Sequence, residues 1–283
     1  MPHQECTRLA HLHRWLRVRI ERLPRWHQPA LIACAAGIGL AVSASIGFVV
    51  GDERGAARQL RIAWDEPSPV TPSGQGAGRD GEVARAFAAA FGASDQAIES
   101  VGALHEPTRF RPGLLVPAPF GPVLLSEGQV LAPLSDSTGK LAAIYMMPSS
   151  GGLKPQARFI PALESGSMGR LSQWTVRSDF GRYPVVEVEG LESWQGVSCA
   201  RTTLLELRPD GPAELVTIPT AFDNSDALRD GNPTRIEGRI RNVRSDRGFE
   251  VTYSGSAGFT ERFVRRGDRY VIAGTGQTRM KSC

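Results

Sequence analysis

The sequence predicts a mainly β protein. A single N-terminal transmembrane helix and a short helical segment come first, and an antiparallel β domain follows as a sandwich, open sheet or irregular barrel. Three observations carry this. The run from Pro29 to Gly51 contains no charged residue. From Leu114 onward, short apolar stretches are cut by Gly, Pro, Ser and Asp, the punctuation of strands and turns. In the last third of the chain, apolar residues alternate with charged ones at the period of a half-buried strand.

Residues 1–28 form the first segment. Leu9, Leu12, Leu16, Ile20 and Leu23 fall at helical spacing, arginines and histidines occupy the intervening positions, and Pro24 ends the pattern. This is a basic amphipathic arm suited to lie on anionic headgroups; docking to a cytoplasmic partner is the alternative. Residues 29–51 follow. At ~1.5 Å rise per residue the run spans the ~30 Å hydrocarbon core of a bilayer. A cleaved leader ending at Val42-Ser43-Ala44 is a second reading, set against the renewed apolar character of Ile46 through Val50. Gly39, Ser43, Gly47 and Gly51 recur every four residues, a spacing that lets two membrane helices approach and form a homodimer. Arginines precede the run and Asp52 and Glu53 follow it, so the positive-inside rule places the N-terminus in the cytoplasm and the rest outside.

Residues 52–80, with Pro67, Pro69, Pro72, Gly74, Gly76 and Gly78, read as a flexible linker. Residues 81–104 read as two short helices. Val83, Phe87, Ala90 and Phe91 share one face behind an Asp80 cap, and Ile98, Val101 and Leu104 mark a second helix after Gly92. Residues 105–283 are the β domain. Its strand candidates include Pro122–Ser126, Gln129–Leu134, Lys140–Met147, Arg158–Leu163, Leu171–Ser178 and Pro184–Glu189. Pro209-Asp210-Gly211 turns Arg201–Leu207 into Ala213–Pro219 as a hairpin. Arg235–Val243, the segment around Val251, that around Phe263 and that around Tyr270 complete a meander.

Composition narrows the functional classes. The net charge is +4, and the N-terminal arm, with six arginines against two glutamates, accounts for all of it. The remainder is balanced, so the chain gives no case for nucleic-acid binding. Of four cysteines, Cys199 and Cys283 fall outside the membrane, where one disulfide between them would persist. His105 is the only histidine beyond the arm, which leaves no second histidine for a multi-His metal site in the β domain. Ser137-Thr138-Gly139-Lys140 has the spacing of some acyl-enzymes, but it reads as a turn and lacks the companion motifs. Asp223, Asp226 and Asp230 form the densest oxygen-ligand cluster, without the spacing of a calcium loop; Asx-turns account for it more simply. Trp194 is expected as a buried anchor beside Cys199. No catalytic, cofactor-binding or metal-ligating set emerges.

One surface does. Ile236 and Ile240 must face inward, so Arg235, Arg239 and Arg241 face outward, and parity places Arg262 and Arg266 with them. The expectation is a bitopic protein of a bacterial inner membrane. Its partner is the lipid bilayer, and its periplasmic or extracellular β domain is a binding or structural module for an envelope protein or anionic glycan. An envelope hydrolase, favoured if His105 and the aspartates share a cleft, and a transmembrane signal transducer are the alternatives.

Overall fold

The computed structural model describes residues 77–102, 104–228, 231–274 and 276–281. The arm, the apolar run 29–51 with Gly39, Ser43, Gly47 and Gly51, and almost all of the linker lie outside them. Among the described residues no helix is long and apolar enough to cross a membrane.

The first element is helix α1 (Ala77–Phe91). Val83, Ala86, Phe87 and Ala90 are buried, the face that the spacing predicts. Asp80 does not cap it. The helix begins three residues earlier, and Asp80 sits in its first turn, where a carboxylate meets the positive end of the dipole. Gly92 closes it with φ 77°, and its N–H donates to the Ala88 carbonyl at 2.8 Å.

The second helix expected over Ile98, Val101 and Leu104 is not formed. Strand β1 (Ala97–Val101) occupies that stretch and pairs antiparallel with β2 (Glu106–Phe110). Ile98 and Leu104 are exposed, and only Val101 is buried. Strand pairing overrides an apolar spacing too short to commit a helix. Strand β3 (Leu114–Val116) then precedes β4 (Val123–Val130), β5 (Gly139–Ser149) and β6 (Gly152–Ser165). The separate strand expected over 129–134 is absent: its first residues belong to β4. These strands form one antiparallel sheet, ordered β1-β2-β4-β5-β6 with β3 also paired to β4.

The second sheet is an eight-stranded meander. It runs through β7 (Gln173–Arg177), β8 (Val185–Trp194), β9 (Val197–Arg208), β10 (Gly211–Asp223), β11 (Arg235–Arg244), β12 (Gly248–Gly255), β13 (Phe259–Arg266) and β14 (Arg269–Ile272). Each strand pairs with the next in sequence, so turn chemistry alone sets the order. The sheet curls into a half-barrel, and β14 comes back against β10. Bulges at Glu214/Val216, Pro219/Ala221 and Arg241/Arg244 add bend and twist where the curl needs them.

Three apolar clusters hold these layers. Inside the curl lie Phe180, Leu204, Ile218, Phe249, Val251, Phe263 and Tyr270, with Phe249 stacked on Phe263 at 4.9 Å. Between the sheets, Leu141, Ala143 and Tyr145 of β5 meet Val186, Val188, Leu205 and Leu207. Beneath α1, Ala142, Ile144 and Met146 of the same β5 meet Phe87 and Phe110. Strand β5 is therefore buried on both faces, which explains its continuous apolar run. Strand β9 does the same for the other two clusters, sending Leu204 into the curl and Leu205 and Leu207 toward the first sheet.

Candidate functional site

The alternation of β11 places Ile236 and Ile240 against the core of the curl. Arg235, Arg239 and Arg241 are exposed on the opposite side. Register carries the face across the sheet: Arg241 lies opposite Glu250, and Glu250 lies opposite Arg262. Arg262 and Arg266 are exposed. The sequence-predicted arginines thus share one outer face. Arg235 is partly neutralised by Glu237 at 2.9 Å and Asp223 at 3.9 Å. Among the described residues, Arg239, Arg241, Arg262 and Arg266 have no carboxylate within 4.0 Å. Glu250 is taken by the Asn242 amide, which donates to it at 2.6 Å.

Because the strands run up and down, alternate turns fall at the same end of the curl. The Pro209-Asp210 turn, the β11–β12 turn and the β13–β14 turn share one end. The β8–β9 turn and the Asp223 loop share the other. Two cavities open at the first end. One, of about 320 Å³, is lined by Arg182, Tyr183, Glu206, Arg208, Arg265 and Asp268 among others. Glu206 is 2 % exposed and accepts from Arg208 Nε at 2.7 Å and Arg265 at 3.1 Å. Arg208 also reaches Asp268 at 3.4 Å. This cluster ties β9 to the far end of the meander and closes the curl. Burial opposes the charge of the Arg265 guanidinium, and hydrogen bonding and attraction to Glu206, with Tyr270, more than offset it and hold the group more firmly protonated. The smaller cavity, of about 160 Å³, lies at the β11–β12 turn.

The other candidates disperse. His105 sits in the β1–β2 turn with φ 51°, on the first sheet. Asp223 ends β10 on the second sheet and accepts from the Ser225 N–H at 2.9 Å and its hydroxyl at 2.6 Å. That is the Asx-turn expected of a polar loop; burial pushes its carboxyl up, but the two Ser225 bonds and the nearby Arg235 together outweigh that and hold it below the usual range. Asp226 is in the short 3₁₀ turn Ser225–Ala227, and Asp230 is outside the described residues. No group of three His, Cys, Asp or Glu side chains among the described residues could hold a metal. Ser137 donates to Glu106 at 2.5 Å, and Lys140 lies 3.2 Å from the other oxygen of that carboxylate. Both residues therefore converge on Glu106, and neither belongs to a helical turn.

Trp194 departs from expectation. It is 70 % exposed at the tip of the β8–β9 hairpin, where it forms the last rung opposite Val197. Cys199 is buried on β9 and is engaged, not free; Cys283 is outside the described residues.

Sequence reasoning missed the inward-facing charges Lys140, Glu206, Glu261 and Arg265. A signal existed: Glu261 and Arg265 share the parity of Phe263, and Glu206 that of Leu204. Glu261, 5 % exposed, accepts from Thr278 Oγ1 at 3.0 Å and from the Arg279 N–H at 2.5 Å, which pins the C-terminal tail to β13.

No family model matches the chain, and neither a curated protein nor a solved structure is significantly similar to it.

Proposed function

We propose that this chain is a bitopic protein of a bacterial inner membrane, whose β domain is a binding module in the cell envelope for an anionic partner. The arm 1–28 lies in the cytoplasm, 29–51 crosses the bilayer, and the domain beyond the linker is periplasmic. Gly39, Ser43, Gly47 and Gly51 form the contact of a homodimer. The layout rests on the apolar run and its charge flanks. The binding reading rests on one observation: Arg239, Arg241, Arg262 and Arg266 are exposed on a single sheet face without carboxylate partners among the described residues. A balanced sheet face carries cross-strand ion pairs. This one carries a surplus of one sign, which attracts and orients an oppositely charged surface.

Replacing Arg239, Arg241 and Arg262 together with glutamine tests this. Surface substitutions of this kind change stability by about 0.5 kcal/mol or less each, so folding is preserved. Retention of solubilised envelope material by the full chain, held in phosphatidylcholine nanodiscs, falls in the variant at low salt, and the wild type loses the same retention as salt is raised. Equal retention of the two proteins at low salt would reduce the arginines to a solvated face.

A further inference from the structure

We propose that the cavity at the β11–β12 turn is a site for a single phosphate group. This deepens the anionic-partner reading and rests on it. The cavity, of about 160 Å³, is lined by Arg244, Arg247 and Arg262, with Asn242 and Glu250 beside them. All three arginines are exposed, and none has a carboxylate within 4.0 Å among the described residues. Elsewhere on the same sheet Arg177, Arg208, Arg235 and Arg265 each meet a carboxylate within 3.1 Å, whereas Arg239, Arg241 and Arg266 stand apart from one another along the open outer face. What sets Arg244, Arg247 and Arg262 apart from the other unmatched arginines of the sheet is that all three line one cavity, where a single anion from outside can neutralise them together.

The acid in the lining does not fill that role. Glu250 accepts from Asn242 at 2.6 Å and has arginines opposite it on both neighbouring strands. The lining therefore keeps a positive surplus. The larger cavity nearby offers no such surplus, because Glu206 and Asp268 already engage Arg208 and Arg265.

The turn that carries the arginines is held in place before any ligand arrives. The Asp246 N–H donates to the Phe180 carbonyl at 2.7 Å, the Arg247 N–H to Arg244 at 2.9 Å, and the Arg265 N–H to Arg247 at 2.9 Å. Asn242 at φ 50° and Asp246 at φ 56° adopt the left-handed conformation on either side of Arg244, in a strand bulged between Arg241 and Arg244. Ordering cost on binding is thereby reduced.

The residue type selects phosphate. A guanidinium stays charged at all relevant pH and offers a planar fork of N–H donors. Three forks around one cavity match the tetrahedral oxygens of a phosphate, which lie in more than one plane in monoester and diester alike, whereas a carboxylate offers its oxygens in a single plane. The same group is presented by free or small-molecule phosphate in solution and, as a diester, by an anionic phospholipid.

The test uses the full chain in phosphatidylcholine nanodiscs. Inorganic phosphate is titrated calorimetrically, and phosphatidylglycerol vesicles are added in a separate co-sedimentation arm. Arg244→Gln/Arg247→Gln weakens phosphate binding about tenfold or more, equivalent to ~1.4 kcal/mol, and Arg239→Gln/Arg241→Gln changes it less than about twofold. Arg247→Lys, which keeps the charge and loses the fork, falls between them and guards against misfolding of the double variant. If the headgroup is the source, vesicle binding follows the same order and free phosphate competes with it. If soluble phosphate is the source, vesicles do not compete. Wild type that binds no phosphate, or pocket and outer-face variants that weaken it equally, overturns the site. The two readings fail separately. Envelope retention lost in the Arg239/Arg241/Arg262 variant, with no phosphate bound by wild type, removes the pocket and leaves the face. Retention unchanged in that variant removes the face.

Discussion

Lys140 is the most completely buried cation described, 1 % exposed on β5, and its replacement by methionine is a sharp test of how the first sheet is held. Its ammonium lies 3.2 Å from Glu106 and 2.9 Å from Glu164, and donates to Thr138 Oγ1 at 2.9 Å. Lys140→Met keeps most of the stem and removes the charge. Stripping one partner from a fully buried pair costs about 3–5 kcal/mol. Two features lower that here. The Glu164 side chain is 39 % exposed, so its share is screened to ~0–1 kcal/mol. Glu106 keeps the Ser137 hydroxyl at 2.5 Å. The expected loss is therefore about 2–3 kcal/mol, read as a lower urea midpoint with unchanged slope.

The acid limb carries a second signature of that cluster. The Ser137 hydrogen bond first, and Lys140 after it, hold the Glu106 carboxyl below its ordinary 4.5 in spite of partial burial. A depressed carboxyl contributes stability that is complete above its unfolded value and is lost as pH falls through its folded value. In Lys140→Met that acid-side loss shrinks without vanishing, because Ser137 remains. A double-mutant cycle with Glu106→Gln should give a coupling of about 1–3 kcal/mol. A single-variant loss under about 1 kcal/mol, or a coupling near zero, would show that the buried ammonium is not held by Glu106 and refute the reasoning.

Other outcomes follow from single contacts. Phe87→Ala, at a fully buried ring stacked on Phe91 at 4.5 Å, should cost about 3–5 kcal/mol and make the α1 segment the first site of limited proteolysis; cleavage elsewhere at the wild-type rate would contradict this. Gly139→Ala would put a Cβ 2.1 Å from the Leu171 backbone nitrogen and should destabilise by about 1–3 kcal/mol in thermal melts; a neutral effect would mean that the Arg170–Leu171 segment yields freely. Cys199 and Cys283 should appear as one linked peptide in a non-reducing digest. Lys281 lies over the Phe222 ring at 5.3 Å, and Phe222 is the cross-strand partner of Cys199, so the tail lies against the strand next to that of Cys199; separate alkylated peptides would end the pairing. A reporter active only outside the cytoplasm, fused after residue 60, should be active and membrane-bound, and a soluble exported product starting near Ser45 would establish cleavage instead.

The chain by itself determined the features that depend on neighbours in sequence. Helix α1 was legible because its apolar spacing and its glycine stop are local. The hairpin at Pro209-Asp210 and the strands β11 to β14 were legible because turn residues and a period of two act over a few positions, and the outward parity of Arg235, Arg239, Arg241, Arg262 and Arg266 follows from that period alone. Strands β1 and β2 were not legible. Ile98 is exposed, and β1 exists only because β2 offers a ladder to it. Nor could sequence place Trp194 outside, since its exposure depends on where the hairpin tip ends relative to the sheet. The inward charges show the limit most plainly. Parity could have turned Arg265 into the curl, but not named Glu206, 59 residues away, as what it meets there. Strand period acts residue by residue and fixes which side a group faces. The partner of a buried charge is set by curl and bulges summed over five strands, and that sum exists only in the folded chain.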